Sequence, residues 1–127
     1  MQLLLDTHIF LWYVTGDTRL SAATCDAIND PNNDVFLSVG SFWEIVIKYE
    51  LGKLPLPQAP DRFIPAQRKT HGIQSLPFDE NDARFLVGLP FHHRDPFDRM
   101  LVSQAMARVL TIATVDPEIK KYSVPVL

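Results

Sequence analysis

Four carboxylic acids, Asp6, Glu44, Asp98 and Asp116, each stand where an apolar run gives way to a helix start or a polar turn. Carboxylates gathered at one partly desolvated place raise one another's pKa values and destabilise the fold unless a cation neutralises them. An all-oxygen donor set suits a hard cation, Mg²⁺ or Mn²⁺, which is held by a few carboxylates and keeps waters for substrate phosphates. The chemistry this points to is phosphoryl hydrolysis, because such an ion acidifies water and shields charge developing on a phosphodiester without any nucleophilic side chain. Each acid also has a local structural role open to it. Asp6 or Thr7 can cap the helix that follows, Glu44 has capping-box spacing to Ser41, and Asp95 is an N-cap with Pro96 at the first helical position. Asp98, at the third position, complements the helix dipole, and Asp116 caps the turn at Pro117. Apart from Arg99, next to Asp98, no lysine or arginine is placed among the four as a permanent partner.

Whether the acids meet depends on the elements that carry them. Leu3-Leu4-Leu5 is a continuous apolar run, as found in a strand covered on both faces at the centre of a parallel sheet. Asp6 then lies at that strand's carboxyl end, the edge where ligands bind in open α/β sheets. His8–Val14 is predicted as a short helix ended by Gly16-Asp17, and Ala22–Asn29 as a second one opened by Ser21. Val35–Ser38 reads as another covered strand, and Phe42, Ile45, Val46 and Tyr49 give the following segment an apolar helical face up to Gly52. Pro55, Pro57, Pro60 and Pro65 predict a surface excursion leading into a shorter helix over Phe63–Lys69. Ile73–Pro77 reads as a strand and Asp79–Leu89 as a helix capped by Asp79. The helix that begins at Pro96 and runs to Val109 puts Asp98 on one face with Val102, Ala105 and Val109. Leu110–Ala113 is a strand, Asp116-Pro117 opens a last helical turn, and Val124–Leu127 is a candidate edge strand. Strands alternating with helices imply a three-layer α/β/α sandwich around a short central parallel sheet, with all four acids at one edge.

At 127 residues, with 46% hydrophobic and 21% charged residues, the chain has the make-up of one globular domain, 1–127. Its longest apolar stretches fall far short of the ~20 residues a bilayer needs, and no basic-flanked leader opens it, so a cytoplasmic protein without a membrane segment is expected. Cys25, among Ala22, Ala23, Ala27 and Ile28, reads as a buried and inert thiol. A net charge of -3 argues mildly against a surface devoted to nucleic acid, though less against a nuclease, which concentrates acids where its metal sits. The bases placed to reach phosphates are Lys48, Arg94 and Arg99, with Lys53, Lys120 and Lys121. His92 and His93 are expected as exposed loop residues, since adjacent histidines point apart and no cysteine joins them as a metal ligand. Phe42, Trp43 and Tyr49 read as core or dimer surface.

Four segments carry a likeness to a known family: Leu5-Asp6-Thr7-His8 with Leu11-Trp12, SVGSFWEIVIKYELGKL from Ser38, HRDPFDRMLVSQA from His93, and Thr114-Val115-Asp116. In joint order and spacing the chain resembles the PIN-domain ribonucleases, specifically the toxin component of VapBC-type bacterial toxin–antitoxin pairs. The resemblance implies a PIN-like fold and a Mg²⁺- or Mn²⁺-dependent endoribonuclease. It places the family's acidic set on Asp6, Glu44, Asp98 and Asp116, with metal at Asp6, Asp98 and Asp116 and with Thr7, Thr114 and Asp95 in support. The partners it implies are an RNA substrate, a VapB-type antitoxin and a second copy of the chain. The rival readings are an RNA-processing nuclease without an antitoxin, a catalytically idle RNA- or protein-binding module, and a phosphoacceptor receiver domain. An idle module would be expected to lose acids that this chain keeps, and a receiver needs a lysine beyond the last strand, which Lys120 or Lys121 fits loosely.

Overall fold

Three successive leucines with no exposed side define the centre of the molecule. In this computed structural model, which describes residues 1–127, Leu3, Leu4 and Leu5 of strand β1 (Gln2–Leu5) are fully buried. The two-residue period of a strand sends Leu3 and Leu5 to one face of the sheet and Leu4 to the other. β1 pairs in parallel with β2 (Asp34–Ser38) on one side and with β4 (Thr111–Ala113) on the other. β3 (Gln74–Leu76) pairs in parallel with β2, giving the order β3-β2-β1-β4. Leu3 faces Val35 and Thr111 across the two ladders, and Leu5 faces Ala113.

Each face of the sheet has its own core. On one, Leu3 and Leu5 pack with Ile9 and Phe10 of α1 (Thr7–Thr15), Ile28 of α2 (Ala22–Asn29), Ile45 of α3 (Val39–Glu50), and Phe63 and Ile64 of α4 (Pro60–His71). On the other, Leu4 and Ile112 pack with Leu101, Val102 and Ala105 of α6 (Pro96–Arg108), with the short α5 (Glu80–Arg84) lying along α6. This is the three-layer sandwich that the alternation of elements implies. No helix is long and apolar enough to cross a membrane.

Several local expectations are corrected. α3 starts at Val39 with Ser38 as its N-cap, the hydroxyl accepting from the Gly40 N–H. Ser41 and Glu44 therefore form no capping box, and Glu44 stands in the second turn, because both side chains bond to Thr7 instead. Gly40 packs closely: a Cβ there would come 3.0 Å from the Met100 methyl, the flexible end of that side chain, which would have to give by a few tenths of an ångström. α4 is longer than the predicted Phe63–Lys69. Pro60 takes the first helical position, where a missing N–H costs nothing, and Pro65 is carried in the interior by the burial of its neighbours Phe63 and Ile64. α5 is shorter than Asp79–Leu89. Its Asp79–Asp82 capping box forms, but from Phe85 onward N–H groups bond three residues back, turning the chain toward Gly88 in the left-handed region at φ 76°. α6 stops at Arg108 because Val109 adopts φ 57° and is 83% exposed, so Val109 does not continue the Asp98 face. The proposed edge strand Val124–Leu127 reduces to one parallel bridge between Ile112 and Val126. Cys25 is half-buried and contacts the Asn29 amide, rather than being sealed in the core.

Candidate active site

From β1 the sheet grows through β2 to β3 on one side, whereas β4 adds on the opposite side, so the direction of growth reverses between β1 and β4. In open parallel sheets the crevice at the carboxyl ends of such a strand pair is where ligands are bound. Asp6 leaves β1 and Thr114 leaves β4 at that point, and the Thr114 hydroxyl donates to Asp6 Oδ2 at 2.7 Å. The Asp116 N–H donates to Thr114 Oγ1 at 3.0 Å, drawing the next acid toward the same crevice. Asp6 occupies the N-cap position of α1 yet its side chain caps nothing, which removes the capping role that sequence left open for it. Its carboxyl is 4% exposed and its pKa is raised, first by burial and further by the charges of Glu44 and Asp116, against the Thr114 hydrogen bond and nearby His8.

Asp98 arrives from the first turn of α6, aimed by Asp95, whose Oδ1 accepts from the Phe97 and Asp98 N–H groups at 2.9 and 3.2 Å. Asp95 itself is exposed and serves as the cap that sequence assigns to it. Burial pushes the Asp98 carboxyl up to about 7, with the charges of Asp95, Asp6 and Asp116 adding to the rise and the His93 hydrogen bond opposing it. Asp116 also accepts from the Glu118 N–H at 2.8 Å, which holds it in the turn before the last helical segment. Asp98 thus senses the charges of Asp6 and Asp116, while Asp116 and, from α3, Glu44 act on Asp6. Thr7 donates to Glu44 Oε1 at 2.7 Å and is hydrogen-bonded to Ser41 at 2.9 Å, tying the starts of α1 and α3 together beneath the acids.

The bases differ from expectation. Lys48, one helical turn after Glu44, pairs with its Oε2 at 2.9 Å, so one of the four acids does have a permanent cation. Arg99 turns away from Asp98 into the interior, donating to the carbonyls of Leu89 and Pro90 and to the Tyr122 hydroxyl, with its guanidinium over the Phe91 ring. It is buried, and its guanidinium nitrogens are committed to these acceptors inside the protein. Arg94 is exposed, and Lys121 pairs with Glu118. His93 is not a loose loop residue. Its Nε2 lies 3.0 Å from Asp98 Oδ2 and its Nδ1 2.9 Å from the Tyr122 hydroxyl, whereas His92 is exposed and packs edge-on against Tyr122. His93 and Tyr122 are the site neighbours that sequence reasoning missed. The position of His93 just ahead of the Asp95 cap was a signal for the first, but nothing local announces a tyrosine 29 residues downstream. Trp43 is 56% exposed and meets Phe97 edge-to-face, forming an aromatic wall between α3 and α6.

The donor set fits a hard divalent cation. It consists of oxygens only, and the protein commits one oxygen of Asp6 and one of Asp98 to a hydrogen bond. The raised pKa values of Asp6 and Asp98, caused first by burial and then by neighbouring carboxylates, mark charge that the hydrogen bonds from Thr114 and His93 offset only in part. No three His, Cys, Asp or Glu side chains stand close enough together in this structure to hold a metal ion, so Asp6, Asp98 and Asp116 would have to draw together around one.

Residues 3–125 match the family model of the PIN domain. Over 52 residues the chain is 38% identical to Ribonuclease VapC16 of Mycobacterium tuberculosis; that stretch is 41% of this chain and spans only 37% of the relative's length. Among solved structures, VapBC2 from Rickettsia felis bound to a DNA fragment from its promoter has a TM-score of 0.75 at 14% identity, covering 100% of this chain and 98% of that one. DNA-bound VapBC from Salmonella typhimurium has a TM-score of 0.70 at 16% identity, covering 100% and 97%. At such identities the likeness is one of fold.

Proposed function

Because the chain belongs to the PIN-domain family, we propose that it is a divalent-cation-dependent endoribonuclease and the toxin of a bacterial toxin–antitoxin pair. The observation that carries this reading is Asp6, buried at the β1–β4 crevice at a helix start that it does not cap and within reach of the charges of Asp116 and Glu44. Its support from relatives is the name of the mycobacterial ribonuclease and the toxin–antitoxin complexes that share the fold.

In this reading Asp6, Asp98 and Asp116 hold Mg²⁺ or Mn²⁺. When bound, the ion supplies acidified water and shields the phosphodiester as charge develops on it. Thr114 fixes the rotamer of Asp6 through its 2.7 Å hydrogen bond and leaves the other carboxylate oxygen to face the ion. Glu44, steadied by Thr7 and Lys48, adds negative charge beside Asp6. Asp95 acts at one remove, by fixing the start of α6. Arg94 remains as the exposed base for the RNA backbone, in place of the trio Lys48, Arg94 and Arg99. A VapB-type antitoxin would silence the crevice most directly by inserting an arginine or lysine among the acids. The reading includes a homodimer, for which the exposed Phe85, Val87 and Phe91 offer apolar surface.

Purified protein incubated with RNA in Mg²⁺, in Mn²⁺ and after exhaustive chelation tests the proposal, with the new RNA ends sequenced. Cleavage at defined positions only with the divalent ion is expected. Full activity in chelator refutes it. A small reading frame directly upstream, whose product abolishes that cleavage when co-purified, is the expected sign of the antitoxin.

A further inference from the structure

Asp98 is held by more than the helix that carries it. We infer that His93 and Tyr122 are positioning residues for Asp98, linked in a one-way hydrogen-bond relay from Arg99 that locks His93 as the Nε2–H tautomer. The inference rests on the proposed role of Asp98 as a cation-holding carboxylate.

The direction of the relay follows from what each group can do. A guanidinium only donates, and Arg99 is anchored by the Pro90 carbonyl at 2.8 Å and the Leu89 carbonyl at 3.1 Å. Its Nη1 also donates to the Tyr122 hydroxyl oxygen at 3.0 Å. With that oxygen accepting, the single Tyr122 proton is free to be donated, and His93 Nδ1 at 2.9 Å is a far better acceptor than the His93 carbonyl at 3.5 Å. An imidazole that accepts at Nδ1 carries its proton on Nε2, and that proton meets Asp98 Oδ2 at 3.0 Å. The opposite tautomer would turn an Nε2 lone pair onto the carboxylate. Arg99 and Tyr122 are buried and His93 is largely so, which leaves water little room to replace any link. The result is a carboxylate with one oxygen pinned from behind and the other presented to the crevice. Outer-shell partners of this kind are typically worth 10–100-fold in metal affinity or activity.

Two measurements on the intact chain test this. The first is long-range ¹⁵N–¹H NMR of labelled histidine in metal-free protein. Wild type is expected to show His93 as the Nε2–H tautomer, and Tyr122→Phe to show a mixture; this variant keeps the backbone acceptors of Arg99 and so is expected to fold. The second is calorimetric titration with Mn²⁺ in the absence of RNA. Tyr122→Phe and His93→Ala are expected to weaken binding about 10–100-fold. His93→Gln, whose amide can donate to Asp98, is expected to recover part of the loss, and in cleavage assays kcat should fall with KM unchanged. A wild-type Nδ1–H tautomer overturns the relay, as does a Tyr122→Phe protein with wild-type tautomer and Mn²⁺ affinity. If wild type shows the Nε2–H tautomer but neither binds Mn²⁺ nor cuts RNA, the relay stands as a feature of the fold while the nuclease reading and the positioning role both fail.

Discussion

Replacing Asp98 with asparagine removes a buried charge and little else, because the new amide oxygen can still accept from His93 Nε2 and the Asp95 cap is untouched. The Asp98 carboxyl is pushed from 3.8 up to about 7, chiefly by burial and then by Asp95, Asp6 and Asp116. Well below pH 3.8 the group is protonated in folded and unfolded chains alike, and the two proteins should be equally stable. As pH rises toward 7 the unfolded chain gives up this proton first, so the raised pKa confers stability at acid pH that is lost as pH climbs through the folded value. At 1.36 kcal/mol per pKa unit the full loss is about 4 kcal/mol, and solvent at the crevice rim reduces it to roughly 2–4 kcal/mol. Metal-free Asp98→Asn should therefore approach wild type as pH falls to 4 and exceed it by roughly 2–4 kcal/mol at pH 8, on the order of 10 °C in melting temperature. Urea unfolding in chelator from pH 4 to 8 measures both slopes. Saturating Mg²⁺ should close the gap by stabilising wild type alone, with about 2.7 kcal/mol expected at 100 times Kd. Parallel pH profiles, or an Asp98→Asn protein less stable than wild type at pH 8, would refute the reasoning.

Asp95→Asn should keep most of its single-turnover cleavage, because asparagine caps nearly as well as aspartate and the Asp95 side chain bonds only to the start of α6; a loss as complete as that of Asp98→Asn would place Asp95 in the site. Val109→Gly should raise unfolding free energy by about 1 kcal/mol in urea titrations without altering cleavage, since a β-branched, exposed residue sits at φ 57° where glycine fits freely. No gain would mean that the left-handed end of α6 costs nothing. Arg99→Leu leaves the Leu89 and Pro90 carbonyls unpaired and should cost roughly 2–4 kcal/mol of stability. The salt dependence of its RNA binding should stay unchanged, and a shallower slope would return Arg99 to the phosphate contacts.

The fold was legible in the sequence where one local signal stated one local fact. The run Leu3-Leu4-Leu5 announces a strand covered on both faces, Ser21 announces α2, and Asp95-Pro96 announces α6, each because a period or a cap is written in neighbouring residues. The errors arose where a distant partner outbid the local pattern. Ser41 and Glu44 have capping-box spacing, but Thr7 of α1 claims both, and the cap falls to Ser38. Arg99 stands next to Asp98 in sequence, but neighbouring helical residues do not face each other, and the carbonyls of residues 89 and 90 and the Tyr122 hydroxyl give its guanidinium acceptors inside. His93 looked like loop surface because the tyrosine that buries it arrives only after β4. The convergence of the acids could be inferred from topology, since every carboxyl end of a parallel sheet points the same way. The switch point between β1 and β4 could not, because strand order is not written in any one segment.

The most direct test of the carboxylate crevice as a divalent-cation site for RNA hydrolysis is single-turnover RNA cleavage by Asp6→Asn in saturating Mg²⁺, beside wild type and with metal-free melts of the same samples. Asp6 caps no helix, so its substitution leaves the start of α1 as it was while removing one oxygen ligand and one buried charge. Abolished cleavage with metal-free stability equal to or above wild type is the expected result. Cleavage retained at the wild-type rate would contradict the metal-site account.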